Sequence, residues 1–120
     1  MNNSVVTTAE LAQAVRNVPD FPKPGIQFKD ITPILGNPRL FSGCVDLLIG
    51  QHRAGSVDAV AGIDARGFIF AAAAALRLNA AFVPIRKKGK LPYSTYEQSY
   101  DLEYGSNTIA IHTDAFKPGD

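Results

Sequence analysis

Apolar positions along this chain change their period several times, and each change predicts an element. In residues 8–17, TAELAQAVRN, Leu11 and Val15 fall at helical spacing, with Val18 just beyond and Thr7 or Thr8 as the N-cap, which predicts a short first helix. Residues 18–25, VPDFPKPG, hold three prolines and suit neither a helix interior nor a central strand. The stretch 26–35 then reads as an extended segment or short hairpin carried on that stiff entry. A second helix is predicted over 38–53. Pro38 fits its first turn, Leu40, Phe41, Val45, Leu48 and Ile49 share one face, and Ala54-Gly55-Ser56 ends it.

From residue 57 the pattern becomes that of an α/β layer. Residues 58–63 are an apolar run suited to a buried strand, 67–78 an apolar helix, and 81–85 a second strand. Strand, helix and strand in that order imply a right-handed crossover and parallel pairing. Ala71 to Ala75 give the helix a face small enough to lie close on a sheet or against another helix, and both uses stay open. Residues 107–112, NTIAIH, alternate as a half-buried strand should. The fold class expected is α/β, a parallel sheet flanked by helices, in a single domain over residues 1–120 without repeats or linkers. Two parallel strands, an irregular N-terminal segment and one more strand make a poor sheet for a free-standing domain. The chain reads as cut off before a core strand.

The strongest chemical signal is the turn Asp64-Ala65-Arg66-Gly67 between the first of those strands and its helix. Such a turn offers backbone N–H groups and the positive end of a helix dipole, a natural anion site. An arginine there opposes the dipole, and a bound anion would remove the conflict. We therefore expect a phosphate or diphosphate subsite at 64–67. Asp64 itself fits two roles, a structural bond to the turn amides or a ligand to metal or substrate.

A second signal follows the next strand. Arg86-Lys87-Lys88-Gly89-Lys90 sets four cations within five residues at the same carboxyl edge, where ligands of open α/β sheets bind. The two elements should converge on one site whose charge matches phosphates; a solvated basic turn is the plainer reading. All four tyrosines, Tyr93, Tyr96, Tyr100 and Tyr104, fall in one stretch whose spacing would suit a helical stripe. Pro92 and the bracketing Gly89 and Gly105 favour a mobile lid over about 90–105 instead. His52 and His112 stand alone and are read as structural or surface residues.

Composition removes several classes. With 46% hydrophobic and 19% charged residues the chain is an ordinary globular one, and a net charge of +1 argues against nucleic-acid or membrane binding through bulk charge. A lone cysteine, Cys44, rules out an internal disulfide and a multi-cysteine zinc site, and suits a reducing compartment. The first residues lack the cationic start and apolar core of a secretory signal, and no window reaches the length of a membrane span. A cytoplasmic protein is expected.

Four motifs then carry a resemblance: PDFPKPGIQFKDITPIL (19–35), AGIDARGFIF (61–70), IRKKGKLP (85–92) and YDLEYG (100–105). In order and spacing they resemble the adenine phosphoribosyltransferases, members of the type I phosphoribosyltransferase fold, over about residues 11–120. The resemblance implies conversion of adenine and 5-phosphoribosyl 1-diphosphate to AMP and diphosphate, with magnesium bound mainly through the substrate and no direct protein ligand. It makes about 19–36 a hood over the base, in which Phe28 stacks on adenine and the backbone at Gln27 and Lys29 reads its edge. It assigns diphosphate to Asp64, Ala65, Arg66 and Gly67, with a possible cis peptide at Asp64–Ala65, and to Arg86, Lys87 and Lys90, some of these across a homodimer. Glu103 and Tyr104, in the lid, join Arg66 as catalytic positions.

The resemblance also implies what should come next. The family's ribose-phosphate loop, two acidic residues before a Thr/Gly-rich stretch, would begin a few residues after Gly119, and the chain ends at Asp120. The expected identity is thus an incomplete transferase domain lacking its C-terminal part, with no measurable turnover alone. The alternative is an inactive fragment or a regulatory, dimerising module of the same fold.

Overall fold

A computed structural model describes residues 5–120, which fall into one unit ending at Gly50 and a second beginning at Gln51. The first unit opens with α1 (Thr8–Ala14). Thr7 is its N-cap, its hydroxyl accepting the Glu10 N–H at 3.1 Å. The helix stops at Ala14, short of the predicted Asn17, because Arg16–Pro19 forms a strand, β1, antiparallel to β2 (Gln27–Asp30). Cross-strand pairing overrides the helical spacing of Val15 and Val18. Arg16 lies opposite Asp30, and its guanidinium donates to the carboxylate at 2.7 and 2.9 Å. The extended segment expected over 26–35 is half right: β2 gives way to one turn of helix, α2 (Thr32–Leu35).

Asp30 also accepts from the Thr32 N–H at 2.9 Å and hydroxyl at 2.8 Å. These two bonds, then the one from Arg16, hold its carboxyl down at about 2. An unfolded aspartate titrates near 4, so this contribution to stability is complete above about pH 4 and is lost as pH falls through 2. Asp30→Asn is expected to flatten the acid limb of a melting-temperature profile in that window. An unaltered limb would mean that other carboxylates set it.

The next helix, α3 (Pro38–Ile49), is capped by the Asn37 side chain, which accepts the Leu40 N–H at 3.1 Å. It ends at Ile49, four residues before the predicted Arg53, and the following Gly50, whose φ of +59° suits glycine, turns the chain out of the helix. Glu10 of α1 and Arg39 of α3 form a bidentate ion pair that lowers the Glu10 pKa, chiefly through its hydrogen bond to Arg39. Val6, Ile34 and Val45 are the buried apolar side chains of this unit.

One glycine of α3 makes room for that core. A Cβ on Gly43 would lie 2.3 Å from Val6 Cγ2 and 2.4 Å from its Cβ. Gly43→Ala should gain about 1 kcal/mol of helix propensity yet lose more to overpacking, roughly 1–3 kcal/mol. Net destabilisation is expected in urea unfolding. A net gain would show that the segment before α1 simply yields.

The second unit is a four-stranded sheet in the order β3-β4-β6-β5, from β3 (Ala59–Ile63), β4 (Ala81–Lys87), β5 (Thr95–Leu102) and β6 (Gly105–His112), with α4 (Arg66–Leu78) crossing between β3 and β4. The βαβ unit is as predicted: β3 and β4 run parallel, from Ala59 opposite Ala81 to Ile63 opposite Ile85. The rest of the sheet is antiparallel, so it is mixed rather than parallel. Extending β4 to Lys87 follows from its pairing with β6 at Arg86–Ala110 and Lys87–Ile109.

The alanines of α4 lie on the sheet. Ala71, Ala74, Ala75 and Leu78 are buried at helical spacing, and Phe68 meets Phe82 of β4 edge to face at 5.5 Å. That settles the use left open between sheet and second helix. Asn79, left-handed, closes the helix through its N–H to the Ala75 and Leu76 carbonyls. The tyrosine stretch is a strand hairpin, β5 against β6 from Thr95–His112 to Leu102–Gly105, so the helical stripe is excluded. Among the described residues no helix is long and apolar enough to cross a membrane.

Candidate functional site

The parallel β3–β4 ladder ends at Ile63 opposite Ile85, and this brings the two predicted anion elements together. Ile63 is opposite Ile85, the Asp64 N–H donates to the Ile85 carbonyl at 3.0 Å, and the residues that follow, Asp64 and Arg86, form an ion pair. Arg86 Nε donates to Asp64 Oδ2 at 3.0 Å, and its Nη1 reaches the Lys90 carbonyl at 3.4 Å. Asp64 is therefore the residue that holds Arg86. With both side chains about a third exposed, 28% and 35%, the pair contributes little stability and acts mainly as an orienting contact.

Arg66 starts α4, one residue before the predicted Gly67, with Ala65 in the N-cap position and no side chain capping this helix end. The Phe68 N–H bonds the Ala65 carbonyl at 3.1 Å and closes the first turn. The Asp64–Ala65 peptide is cis, as the resemblance suggested. Arg66 is exposed at the positive end of the dipole. In the basic run the Lys90 N–H bonds the Lys87 carbonyl at 3.1 Å, forming a tight turn, and the Lys88 ammonium lies 3.7 Å from Glu97 of β5. Lys87 and Lys90 are exposed without an ion-pair partner among the described residues. A helix N-terminus beside several cations and one committed carboxylate is suited to holding an anion with more than one charge.

Glu103 and Tyr104 are not part of this cluster. They are the two-residue turn at the tip of the β5–β6 hairpin, and Tyr104 is 96% exposed. Along β6 the tip at Gly105 is five residues from Ala110, which pairs with Arg86. At strand rise that is about 17 Å.

The other predicted residues lie in the first unit. Gln27, Phe28 and Lys29 are successive positions of β2, so Gln27 and Lys29 share one hydrogen-bonding edge. Pro19, opposite Gln27, has no N–H to give. That pair is of the non-hydrogen-bonded kind, and by alternation so is Asn17 with Lys29. The backbone N–H and C=O groups of Gln27 and Lys29 accordingly face away from β1. Asn17 fixes both side chains, donating to Gln27 Oε1 at 2.8 Å and accepting from Lys29 Nζ at 2.9 Å. The Phe28 ring meets Phe21 edge to face, with centroids 5.2 Å apart.

Asn17, Phe21 and Arg16 were not foreseen as parts of a site. Their signal was present only as alternation around the proline run, which the helical reading of 8–17 concealed. His52 is exposed in the connection after α3, whereas His112 packs its ring edge-on to Tyr93 at 6.1 Å, with Nε2 buried and unbonded among the described residues. No three His, Cys, Asp or Glu side chains among the described residues gather in a way that could hold a metal ion.

No protein-family profile matches the chain. Individual relatives do. The adenine phosphoribosyltransferase of Acidothermus cellulolyticus is 58% identical over 110 residues, covering 92% of this chain and 62% of that protein. The protein of the same description from Cupriavidus metallidurans is 48% identical, covering all of this chain and 67% of its own length. Among solved structures, the Rhodothermus marinus adenine phosphoribosyltransferase superposes with a TM-score of 0.85 at 54% identity, over 93% of this chain and 64% of that one. The Saccharomyces cerevisiae enzyme, complexed with an imino-altritol bisphosphate and adenine, gives 0.80 at 35%, over 93% of this chain and 66% of that one. The chain spans 62%, 61% and 66% of the first three curated relatives it matches.

Proposed function

Because the chain belongs to the adenine phosphoribosyltransferase family, we propose that it carries the base and diphosphate subsites of a purine salvage transferase, which joins adenine to 5-phosphoribosyl 1-diphosphate and yields AMP and diphosphate. The observation that carries this reading is Arg66 on the uncapped first turn of α4, beside the Asp64–Arg86 pair and the lysines at 87 and 90. Diphosphate is the leaving group. As its bond to ribose C1′ breaks, the sugar takes on oxocarbenium character and negative charge gathers on the departing oxygens. Turn amides and fixed cations stabilise that charge where it develops, without reorganising at the moment of reaction. Asp64 serves by keeping Arg86 aimed.

The base is read by β2. Adenine presents an N6 donor next to an N1 acceptor, which one extended backbone can meet with a C=O and an N–H. A 6-oxopurine inverts that pattern and leaves both sides unpaired, a mismatch that discriminates strongly. Phe28 supplies the stacking face. Support comes from the yeast relative solved with adenine and from the Giardia lamblia relative, 32% identical, complexed with 9-deazaadenine.

In this reading the segment from about 90 to 105, which holds β5 and the hairpin tip, is the lid, and that tip travels to bring Glu103 and Tyr104 to the reacting carbon. Glu103, or a water it holds, handles the proton at the purine. Magnesium would arrive on substrate oxygens and offset their charge, as the resemblance implies. The protein is taken as a cytoplasmic homodimer, as the resemblance implies. The test is equilibrium titration of the purified protein with adenine, hypoxanthine and guanine, and separately with inorganic diphosphate. Adenine and diphosphate are expected to bind, and the 6-oxopurines much more weakly than adenine. Equal affinity for a 6-oxopurine, or no binding of adenine, would overturn the reading.

A further inference from the structure

Strand β3 and helix α4 touch at Gly62, the buried residue of the strand. A Cβ there would lie 2.7 Å from the Gly67 carbonyl oxygen, 3.0 Å from the Gly67 carbonyl carbon and 2.7 Å from the Ala71 Cβ. The relation is one-sided. A Cβ on Gly67 would meet the Gly62 backbone no closer than 3.6 Å, an ordinary contact. It is the missing side chain of Gly62 that lets the helix start settle on the strand.

The anion turn is anchored differently at its two ends. On the strand side, the Asp64 N–H is fixed to Ile85 at 3.0 Å by the sheet ladder. On the helix side, the Gly67 carbonyl sits against Gly62. Any Cβ at residue 62 must push that carbonyl outward by about 0.7 Å to reach normal contact, and hydrogen bonds to nitrogen tolerate a range of only about 2.7–3.2 Å. We propose that Gly62 is a positioning residue for the diphosphate subsite, setting the height of the Ala65–Gly67 amides and of Arg66 relative to Arg86. The inference rests on the reading of turn 64–67 as that subsite.

The test compares Gly62→Ala with the double variant Gly62→Ala/Ala71→Gly, measuring inorganic diphosphate binding by calorimetry and thermal unfolding on each. The double variant removes the 2.7 Å contact with the Ala71 methyl and keeps the one with the Gly67 carbonyl. It should regain most of the melting temperature that Gly62→Ala loses, while its Kd stays raised about tenfold or more, the loss of roughly one charge-assisted hydrogen bond. Ala71→Gly alone should bind as the unaltered chain does. Recovery of affinity together with stability, undiminished binding by Gly62→Ala, or a double variant that never folds would each reduce Gly62 to a packing role and overturn the inference. If the unaltered chain binds no diphosphate, the reading of the turn fails first, and the positioning role with it.

Discussion

Arg66→Ala is expected to weaken diphosphate binding by about 2–3 kcal/mol, roughly 30- to 150-fold, without a comparable loss of thermal stability. The two halves of this expectation come from one geometry. Arg66 stands in the first turn of α4, where the helix dipole is positive and no side chain caps the helix. A cation there opposes the helix by about 0.3–1 kcal/mol. An anion on the turn reverses that sign, and the guanidinium can grip it through two parallel bonds. Arg66→Lys should lie between, keeping the charge and losing the fork. Lys87→Ala, which removes an exposed point charge, should cost less. Calorimetric titration with inorganic diphosphate reads all three; undiminished binding by Arg66→Ala would remove the turn from the site.

The second large effect belongs to Phe28. Phe28→Ala is expected to weaken adenine binding by about 1–3 kcal/mol, taking base–aromatic stacking as the guide, and to leave diphosphate binding unchanged. Phe28 lies between Gln27 and Lys29, the positions whose backbone faces away from β1, and its ring is braced by Phe21. Loss of the ring removes the stacking face while the ribbon, held by Arg16–Asp30 and by Asn17, remains. Equilibrium titration with adenine separates the outcomes. A variant that binds adenine as before would place the base elsewhere.

These two candidate sites were legible in the sequence to different degrees. The strand–turn–helix geometry at Asp64-Ala65-Arg66-Gly67 could be read from residues alone, because an apolar run meeting an apolar helix across it leaves few other folds, and parallel strands bring 64 and 86 to one edge. What lay hidden was the partner of Asp64. Nothing local distinguishes a carboxylate that bonds amides from one that holds an arginine 22 residues away.

The ribbon was harder. Leu11, Val15 and Val18 obey helical spacing, and only the cross-strand pairing of 16–19 with 27–30, a tertiary fact, ends the helix at Ala14. The tyrosine spacing is ambiguous in the same way, since a strand with exposed rings and a helical stripe can share it, and only Pro92 and the bracketing glycines speak against the stripe. Gly62 carried no signal at all. In a strand it reads as a weak point, and its use appears only when the Gly67 carbonyl is seen 2.7 Å from where a Cβ would stand.

Backbone amide chemical shifts test the central claim most directly, with inorganic diphosphate and then adenine added to the 15N-labelled protein. Diphosphate should shift Ala65 to Phe68 together with Arg86 to Lys90, and adenine should shift Gln27 to Lys29. Shifts confined to other segments, or both ligands moving the same scattered surface amides, would contradict it.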